Sequence, residues 1–219
     1  MTIYDRYVKR IIDIVLSFIG LVVLLPLFLI IGVCIKLDSP GPVFFIQERA
    51  GKKGQPFRIY KFRTMVFNAE RIGDGYYVGA RDPRVTRVGS LLRKTSIDEL
   101  PQLINILKGE MSIIGPRPTL LYQVEQYDDY QRHRLDVRPG VSGWAQVHGR
   151  NSLSWPERIK YDVWYVQNIS ILLDLLIMLK TFNALAASED VYAEKEKFII
   201  RDSDELEVNK KGADEWKES

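Results

Sequence analysis

The strongest hydrophobic pattern in the chain is an apolar run near the N-terminus. The 22 residues between Asp13 and Lys36 carry no charge, and about 20 apolar residues suffice for a helix to cross a bilayer of roughly 30 Å. A cleaved signal peptide fits poorly, because the run is too long and no small-residue cleavage site follows it. The pattern predicts a membrane-associated helix within residues 1–37.

Pro26 lies near the middle of this run, where it removes a backbone hydrogen bond and bends a helix. Positively charged flanks stay in the cytoplasm, and basic residues flank the run on both sides. They are Arg6, Lys9 and Arg10 before it, and Lys36, Arg49, Lys52 and Lys53 after it. Both flanks favour a re-entrant helix that is broken at Pro26 and returns to the cytoplasmic side. A proline-kinked helix that spans the membrane is the alternative.

Two later patterns predict a hairpin and a polar helical region. The segments VFFIQ at 43–47 and FRIYKF at 57–62 have the composition of strands, and the turn between them contains Gly51 and Gly54. Residues 119–136 are polar and helical in pattern, and we expect them to contribute surface charge only. The predicted fold class is mixed α/β, mainly helical, with a small β-hairpin and a compact cytoplasmic body after the membrane segment.

A second apolar segment, residues 168–182, is too short to cross a bilayer, because Asp174 and Lys180 interrupt it. A helix that lies in the membrane interface fits this pattern. An ordinary core helix fits it equally well.

Charge separates residues 1–187 from the C-terminal end of the chain. Residues 188–219 hold 11 acidic and 6 basic side chains, so this tail is acidic although the chain has a net charge of +3. The rest of the chain is basic, which suits phosphate-bearing ligands. Nucleic acid would not explain the apolar run, so we expect no nucleic-acid partner. The single cysteine, Cys34, excludes a disulfide framework and a cysteine metal cage.

Adjacent carboxylates lie where a helix is predicted to begin, in TSIDELPQL at residues 95–103. Apolar residues at helical spacing follow, with Gly109 as the stop signal: Leu100, Leu103, Ile104 and Leu107. Proline is tolerated only in the first turn of a helix. Asp98 as the N-cap would therefore make Pro101 the third helical residue.

Two interpretations of the acidic pair stay open on local grounds. Ser96 and Glu99 have the spacing of a capping box, and acids in a first turn favour the positive end of the helix dipole. The alternative is that Asp98 and Glu99 carry chemistry, and the neighbouring segments must decide between the two.

Two arginines beside prolines favour a phosphate site. Pro116 and Pro118 stiffen the backbone around Arg117, and Pro139 follows Arg138. An arginine on stiff backbone loses little freedom when its planar guanidinium binds a phosphate. The chain has no G-x-G-x-x-G and no Walker loop, so a Rossmann or P-loop nucleotide site has no support.

These segments resemble the bacterial sugar transferases, the small monotopic polyprenyl-phosphate phosphoglycosyl transferases. The resemblance covers about residues 5–183 and leaves out the acidic tail. The matching segments run in order: KRIIDIVLSFIGLVVLLPLF, GPVFFIQERAGKKGQPFRIYKFRTM, TSIDELPQLINILKGEMSIIGPRP, RPGVSGWAQVHGRN and YDVWYVQNISILLDLLIMLKTF. One departure is Leu25, where the family often has a serine before the proline of its re-entrant helix.

The resemblance implies transfer of a sugar phosphate from a UDP-sugar to undecaprenyl phosphate, with release of UMP and a requirement for Mg²⁺. The family's aspartate–glutamate dyad falls on Asp98 and Glu99. Asp98 is then the expected nucleophile, which forms an acyl-phosphate with the sugar phosphate, and both carboxylates are expected near the metal, held chiefly by Glu99. Four basic residues are the candidates for binding phosphate oxygens: Lys61, Arg93, Arg117 and Arg138.

The same resemblance implies a monotopic protein on the cytoplasmic face of the bacterial inner membrane, with the bilayer and other glycan-assembly enzymes as partners. Residues 38–187 would form the catalytic domain. Two rival functions stay open: a non-catalytic membrane-anchored scaffold of polysaccharide assembly, and an ordinary glycosyltransferase that releases UDP. The sequence does not identify the sugar.

Overall fold

The computed structural model describes residues 4–72, 82–149 and 152–186. The described chain is mainly helical, with two small two-stranded sheets. Its helices and strands are α1 (Lys9–Asp38), β1 (Phe44–Ala50), β2 (Pro56–Phe62), α2 (Arg87–Lys94), α3 (Gln102–Lys108), β3 (Ser112–Ile114), α4 (Leu121–Val124), α5 (Asp129–Arg132), β4 (Gly140–Ser142), α6 (Trp155–Gln167) and α7 (Ile171–Ala186). The acidic tail predicted at 188–219 lies outside the described residues.

The predicted hairpin is confirmed. Strands β1 and β2 pair antiparallel, with Phe44 opposite Phe62 at one end and Ala50 opposite Pro56 at the other. The turn between them has Gly54 at φ 72°, a left-handed conformation that glycine adopts without steric cost. Phe57 and Ile59 alternate with exposed residues and are buried on one face of the hairpin, whereas Phe62 is buried in a separate cluster with Ile31 and Ile35 of α1.

The N-terminal apolar run forms a single helix, so the expected interruption of the helix at Pro26 is not found. Helix α1 extends over 30 residues with Pro26 inside it. Proline removes only one main-chain donor, and the residues on either side continue the helical conformation. The re-entrant path through a membrane stays a prediction.

Both ends of α1 pack against the rest of the described chain. Near the N-terminus the buried Lys9 makes an ion pair with Asp174 of α7. Near the C-terminus Ile31 and Ile35 are buried against Phe62 of β2 and the α2 helix. Helix α1 thus lies along the body for its whole length and does not project away from it.

The outer faces of α1 and α7 are apolar and exposed. On α7, Asp174 and Ile177 face the body and are buried, whereas Leu172 is 76% exposed. Other exposed apolar residues on this helix are Ile171, Leu175, Leu176, Leu179 and Phe182. An exposed apolar face of this size favours a helix in the membrane interface, whereas the buried cluster that contains Leu173 and Ile177 is what a core helix would form. Both interpretations of residues 168–182 therefore stay open. Insertion of α7 into the membrane interface stays a prediction.

The second sheet brings the two arginine–proline segments together. Strands β3 and β4 pair in parallel, and the amide of Gly140, the first residue of β4, donates to the carbonyl of Pro116, which follows β3. A Cβ on Gly140 would lie 2.1 Å from the Gly115 nitrogen, so only glycine permits this approach. The sheet fixes the position from which Arg117 extends.

Candidate active site

The acidic pair lies in a tight turn that precedes α3. Ile97–Glu99 forms a 3₁₀ turn after Ser96, which has φ 56°, and α3 begins only at Gln102 with Pro101 at its N-cap. Neither Asp98 as the N-cap nor a capping box from Ser96 is found. The left-handed Ser96 turns the chain sharply between α2 and α3, so the two acids face a cavity instead of the backbone of α3.

Glu99 is held by two cations from distant parts of the chain. Lys61 Nζ of β2 lies 2.7 Å from Glu99 Oε1, and Arg117 binds both carboxylate oxygens, at 2.6 and 3.3 Å. Burial alone would raise the pKa of Glu99, but Arg117 and Lys61 outweigh it and hold that pKa well below its usual range. Glu99 is therefore a fixed negative charge.

Asp98 has the opposite electrostatic character. Burial and the adjacent Glu99 charge raise the pKa of Asp98 to about 6, although Lys61, Arg93 and Arg117 oppose the shift. Environments that push the pKa values of neighbouring acids apart are typical of carboxylates with different tasks. At pH 7 most Asp98 carboxylates are ionised, and their charge is less firmly neutralised than that of Glu99.

The structure brings three of the four predicted phosphate-binding residues to this site. Besides Lys61 and Arg117, Arg93 of α2 lines the same cavity, with its Nε 2.8 Å from Thr64 Oγ1. Arg138 is not brought there, because its Nε donates to the Gly109 carbonyl at the far end of α3. A guanidinium at a helix C-terminus meets carbonyl groups that lack helical partners, and this explains the position of Arg138.

The cavity in front of the acidic pair has a volume of about 760 Å³. The apolar side chains of its lining include Phe44, Phe45 and Ile46 of the hairpin and Phe67 of the segment after it. Five further lining residues were not expected from the sequence: Gln146, Arg134, Trp155, Arg158 and Asp162.

Arg134 contradicts the expectation that residues 119–136 contribute surface charge only. It is 2% exposed, makes an ion pair with Asp162 at 2.6 Å and donates to the Arg117 carbonyl. Tertiary packing of α6 against this segment overrides its polar pattern. Trp155, Arg158 and Asp162 lie at i, i+3 and i+7 of α6, and this one-sided spacing of polar residues and a tryptophan was a signal in the sequence.

Comparisons with known proteins identify the family of this chain. The family model described as bacterial sugar transferase matches residues 4–188. The chain belongs to the bacterial sugar transferase family. It is 48% identical over 185 residues to the UDP-N-acetylgalactosamine-undecaprenyl-phosphate N-acetylgalactosaminephosphotransferase of Aeromonas hydrophila, which covers 82% of this chain and 44% of the relative.

Two further relatives show the range of lengths among similar proteins. The exopolysaccharide production protein ExoY of Sinorhizobium fredii is 41% identical over 84% of this chain and 88% of the relative. The UDP-glucose:undecaprenyl-phosphate glucose-1-phosphate transferase of Escherichia coli is 42% identical over 81% of this chain and 40% of the relative. The chain thus spans less than half the length of the Aeromonas and Escherichia relatives.

The donor set of Asp98 and Glu99 fits Mg²⁺ only with help from a substrate. Within the described residues, no group of three or more His, Cys, Asp or Glu side chains converges on a metal position. Mg²⁺ commonly takes one or two protein carboxylates and completes its shell with phosphates and water. Asp98 and Glu99 supply that number. A carboxylate has about four acceptor positions, so the bonds to Lys61 and Arg117 leave Glu99 room for a metal.

Proposed function

We propose that this chain transfers a sugar 1-phosphate from a UDP-sugar to undecaprenyl phosphate and releases UMP. The observation that carries the proposal is the contrast between the two adjacent carboxylates. Glu99 is neutralised by Lys61 and Arg117, whereas Asp98 faces the same cavity with a raised pKa. The relatives from Aeromonas and Escherichia, which are named as transferases acting on undecaprenyl phosphate, support the substrate class.

In the first step an Asp98 carboxylate oxygen bonds to the sugar-bearing phosphorus of the donor. The bond from that phosphorus to the oxygen that bridges the two phosphates breaks, and UMP leaves with this oxygen and its electron pair. Arg117 and Arg93 line the cavity beside Asp98, and their positive charge stabilises the charge that develops on the departing UMP. The product is a covalent aspartyl-phosphosugar.

In the second step a phosphate oxygen of undecaprenyl phosphate bonds to the same phosphorus. The Asp98 acyl-phosphate bond breaks, which restores the carboxylate and yields the lipid-linked diphosphosugar. Mg²⁺, held by Glu99 and Asp98, would neutralise part of the diphosphate charge. Lys61 keeps the Glu99 carboxylate in position through both steps.

Aromatic contacts support an approach of the lipid from α1. Phe62 stacks on Phe44 of the cavity wall and makes an edge contact with Phe28 of α1. The apolar side of the cavity is thereby continuous with the helix whose outer face is exposed and apolar. A prenyl chain in the membrane would reach Asp98 along this side.

We also propose that the protein is monotopic and lies on the cytoplasmic face of the inner membrane, where UDP-sugars are found. A helix that spans the bilayer holds its ends about 30 Å apart on opposite sides. Both ends of α1 contact one body, through Lys9 and Ile35. This arrangement supports a helix that enters the membrane and stays on one side. The association with other glycan-assembly enzymes stays a prediction.

The test uses a UDP-sugar labelled with ³²P at the β-phosphate, supplied to the full chain in membranes with Mg²⁺. Without lipid acceptor we expect label on the protein and one equivalent of UMP, and peptide mapping should find the label at Asp98. Added undecaprenyl phosphate should then move the label into the organic phase. Release of UDP would identify an ordinary glycosyltransferase, and absence of all turnover with every UDP-sugar would favour the scaffold.

A further inference from the structure

The segment that carries Arg117 is held by hydrogen bonds to its main-chain carbonyl groups. Pro116 and Pro118 have no amide hydrogen, so their main chain can accept hydrogen bonds but cannot donate them. The Pro116 carbonyl accepts from the Gly140 amide at 2.9 Å, and the Arg117 carbonyl accepts from Arg134 at 2.9 Å. The Arg117 side chain is 46% exposed, so packing restrains it little. Its position therefore depends on these carbonyl bonds.

Arg134 is itself fixed by contacts on several sides. Its Nη2 carries two hydrogens and donates to the Arg117 carbonyl and to Asp162 Oδ2, the latter at 2.6 Å. Its Nη1 donates to the Tyr127 hydroxyl. The guanidinium lies 5.6 Å from the centre of the Tyr127 ring and 5.4 Å from that of Trp155. A planar guanidinium held in this way keeps a carbonyl and a carboxylate at a set separation, so Asp162 orients the nitrogen that binds Arg117.

These contacts continue to the acidic pair. The Arg117 guanidinium binds the two carboxylate oxygens of Glu99 at 2.6 and 3.3 Å. Asp162 of α6 is thus connected to Glu99 through Arg134 and Arg117. A shift of the Arg117 carbonyl would move its guanidinium away from Glu99. Displacements of about 1 Å that originate far from the reacting atoms can reduce the rate of an enzyme by about 100-fold.

We propose that Arg134, oriented by Asp162, is a positioning residue that keeps Arg117 against Glu99. The inference rests on the proposed function, since Arg117 there stabilises the departing UMP. Arg134 acts through Arg117 and does not touch the reacting phosphorus. The effect of losing Arg134 should therefore disappear once Arg117 has been removed.

The reactivity of Arg117 towards phenylglyoxal tests this position without any turnover. The reagent condenses with free guanidinium nitrogens, and the bonds to Glu99 protect those of Arg117. The variant Arg134→Met with Asp162→Leu removes the buried ion pair as a unit, and apolar residues of similar size often replace such a pair without loss of stability. Mass spectrometry should find Arg117 labelled as fast as in Glu99→Ala, where its partner is missing. Labelling of Arg138, which lies outside the cavity, should be the same in every variant.

The kinetics of UMP release provide the second readout. In the variant that lacks the ion pair, kcat should fall about 10- to 100-fold, with KM for the UDP-sugar changed less than about 3-fold, because Arg117 acts on charge that develops in the transition state. In an Arg117→Ala background the same two substitutions should lower kcat less than about 3-fold. Tyr127→Phe is the matched control, since it removes a bond of Arg134 that does not lead to Arg117. It should match the parent in labelling and in kcat.

The melting temperature of each variant checks that it is folded. Arg134→Lys replaces the paired substitution if that protein does not fold. It keeps a charge beside Asp162, but a single ammonium group cannot span the carboxylate and the Arg117 carbonyl, so the same changes are expected. Parental labelling of Arg117 in the folded variant would overturn the inference, and so would an equal loss of kcat in the Arg117→Ala background. A parent without turnover on any UDP-sugar would contradict the proposed function, and the labelling would then decide on Arg134 alone.

Discussion

At the scale of residues, two adjacent carboxylates differ in pKa because cations from distant parts of the chain surround them. Asp98 and Glu99 are neighbours in sequence, but the cations that separate their pKa values come from β2 and from the segment after β3. Lys61 and Arg117 were named from sequence as phosphate ligands, and in the structure both bind Glu99. No local pattern reveals which of two adjacent acids a distant cation will reach.

Asp98→Asn should abolish turnover and stabilise the fold. The folded state raises the Asp98 pKa to about 6, so the ionised carboxylate is destabilising. This destabilisation of the folded state is absent below about pH 4 and grows between about pH 4 and pH 6. Above about pH 6 it is complete and amounts to about 1–3 kcal/mol. Thermal unfolding in EDTA should therefore show a higher melting temperature for Asp98→Asn at pH 8 and a much smaller difference at pH 4.

The exposed Asp129→Asn is the matched control for this measurement. It removes the same charge, and its melting temperature should differ little from that of the parent at either pH. An Asp98→Asn protein that is less stable than the parent at pH 8 would mean that the carboxylate has a structural role there. Retention of more than a few per cent of the activity would exclude Asp98 as the nucleophile.

Glu99→Gln should lower activity and shift its Mg²⁺ dependence to higher concentration. The amide keeps the size of the side chain but loses the charge that Mg²⁺ and the two cations share. The measurement is a Mg²⁺ titration of UMP release at saturating donor, with Glu110→Gln as a carboxylate control outside the cavity lining. An unchanged titration curve in active Glu99→Gln protein would remove Glu99 from the metal site.

At the scale of elements, helix α3 shows what periodicity predicts well and where it fails. The helix and its stop at Gly109, which has φ 87°, agree with the sequence. The buried face does not, because Gln102, Asn105 and Ile106 are buried instead of the apolar set expected from spacing. Asn105 accepts from the Tyr60 amide and donates to the Arg58 carbonyl. These two bonds satisfy backbone groups on the unpaired edge of β2. The spacing of apolar residues cannot reveal such a tertiary contact.

The contact between α1 and α7 depends on one buried ion pair, and Asp174→Asn should break it. Asp174 accepts from Lys9 and from the hydroxyls of Tyr4 and Tyr165. Loss of one partner leaves a buried unpaired charge, at a cost of about 3–5 kcal/mol. At about 2–4 °C per kcal/mol for a chain of this size, the melting temperature in detergent should fall by roughly 10 °C.

The double variant Lys9→Met with Asp174→Asn provides the check on this reasoning. Because it removes the unpaired cation as well, it should regain most of the lost stability. Additive losses from the two substitutions would show that the residues contribute independently and that the ion pair does not join the helices.

At the scale of the whole molecule, the exposed apolar faces and the cavity serve the same proposed function. The cavity lining includes residues of the hairpin, α2, the turn before α3, the segments after β3 and β4, and the α6 helix. Sequence motifs identified the hairpin, α2, the turn before α3 and the segment after β3. Helix α6 was missed because Arg158 and Asp162 are separated from the other motifs along the chain and meet them only after folding.

The arrangement of α1 leads to a prediction about membrane topology. A cysteine placed at Thr2 in a Cys34→Ala background would be the only thiol of the chain. Because the ion pair from Lys9 and the packing of Ile35 join both ends of α1 to one body, we expect this cysteine on the cytoplasmic side. An impermeant maleimide should leave it unlabelled in intact spheroplasts and label it fully after lysis.

A membrane-anchored reporter with one cysteine exposed on the periplasmic side, expressed in the same cells, shows that the reagent reaches its targets. Strong labelling of the Thr2→Cys protein before lysis would mean that α1 crosses the bilayer. One of the two end contacts would then have to be absent in the membrane, since a helix that spans about 30 Å of hydrocarbon cannot keep both ends on a body at one surface. The Asp174→Asn variant tests whether the ion pair with Lys9 decides on which side the N-terminus lies. If the ion pair holds the N-terminus inside, only this variant should become labelled in intact cells.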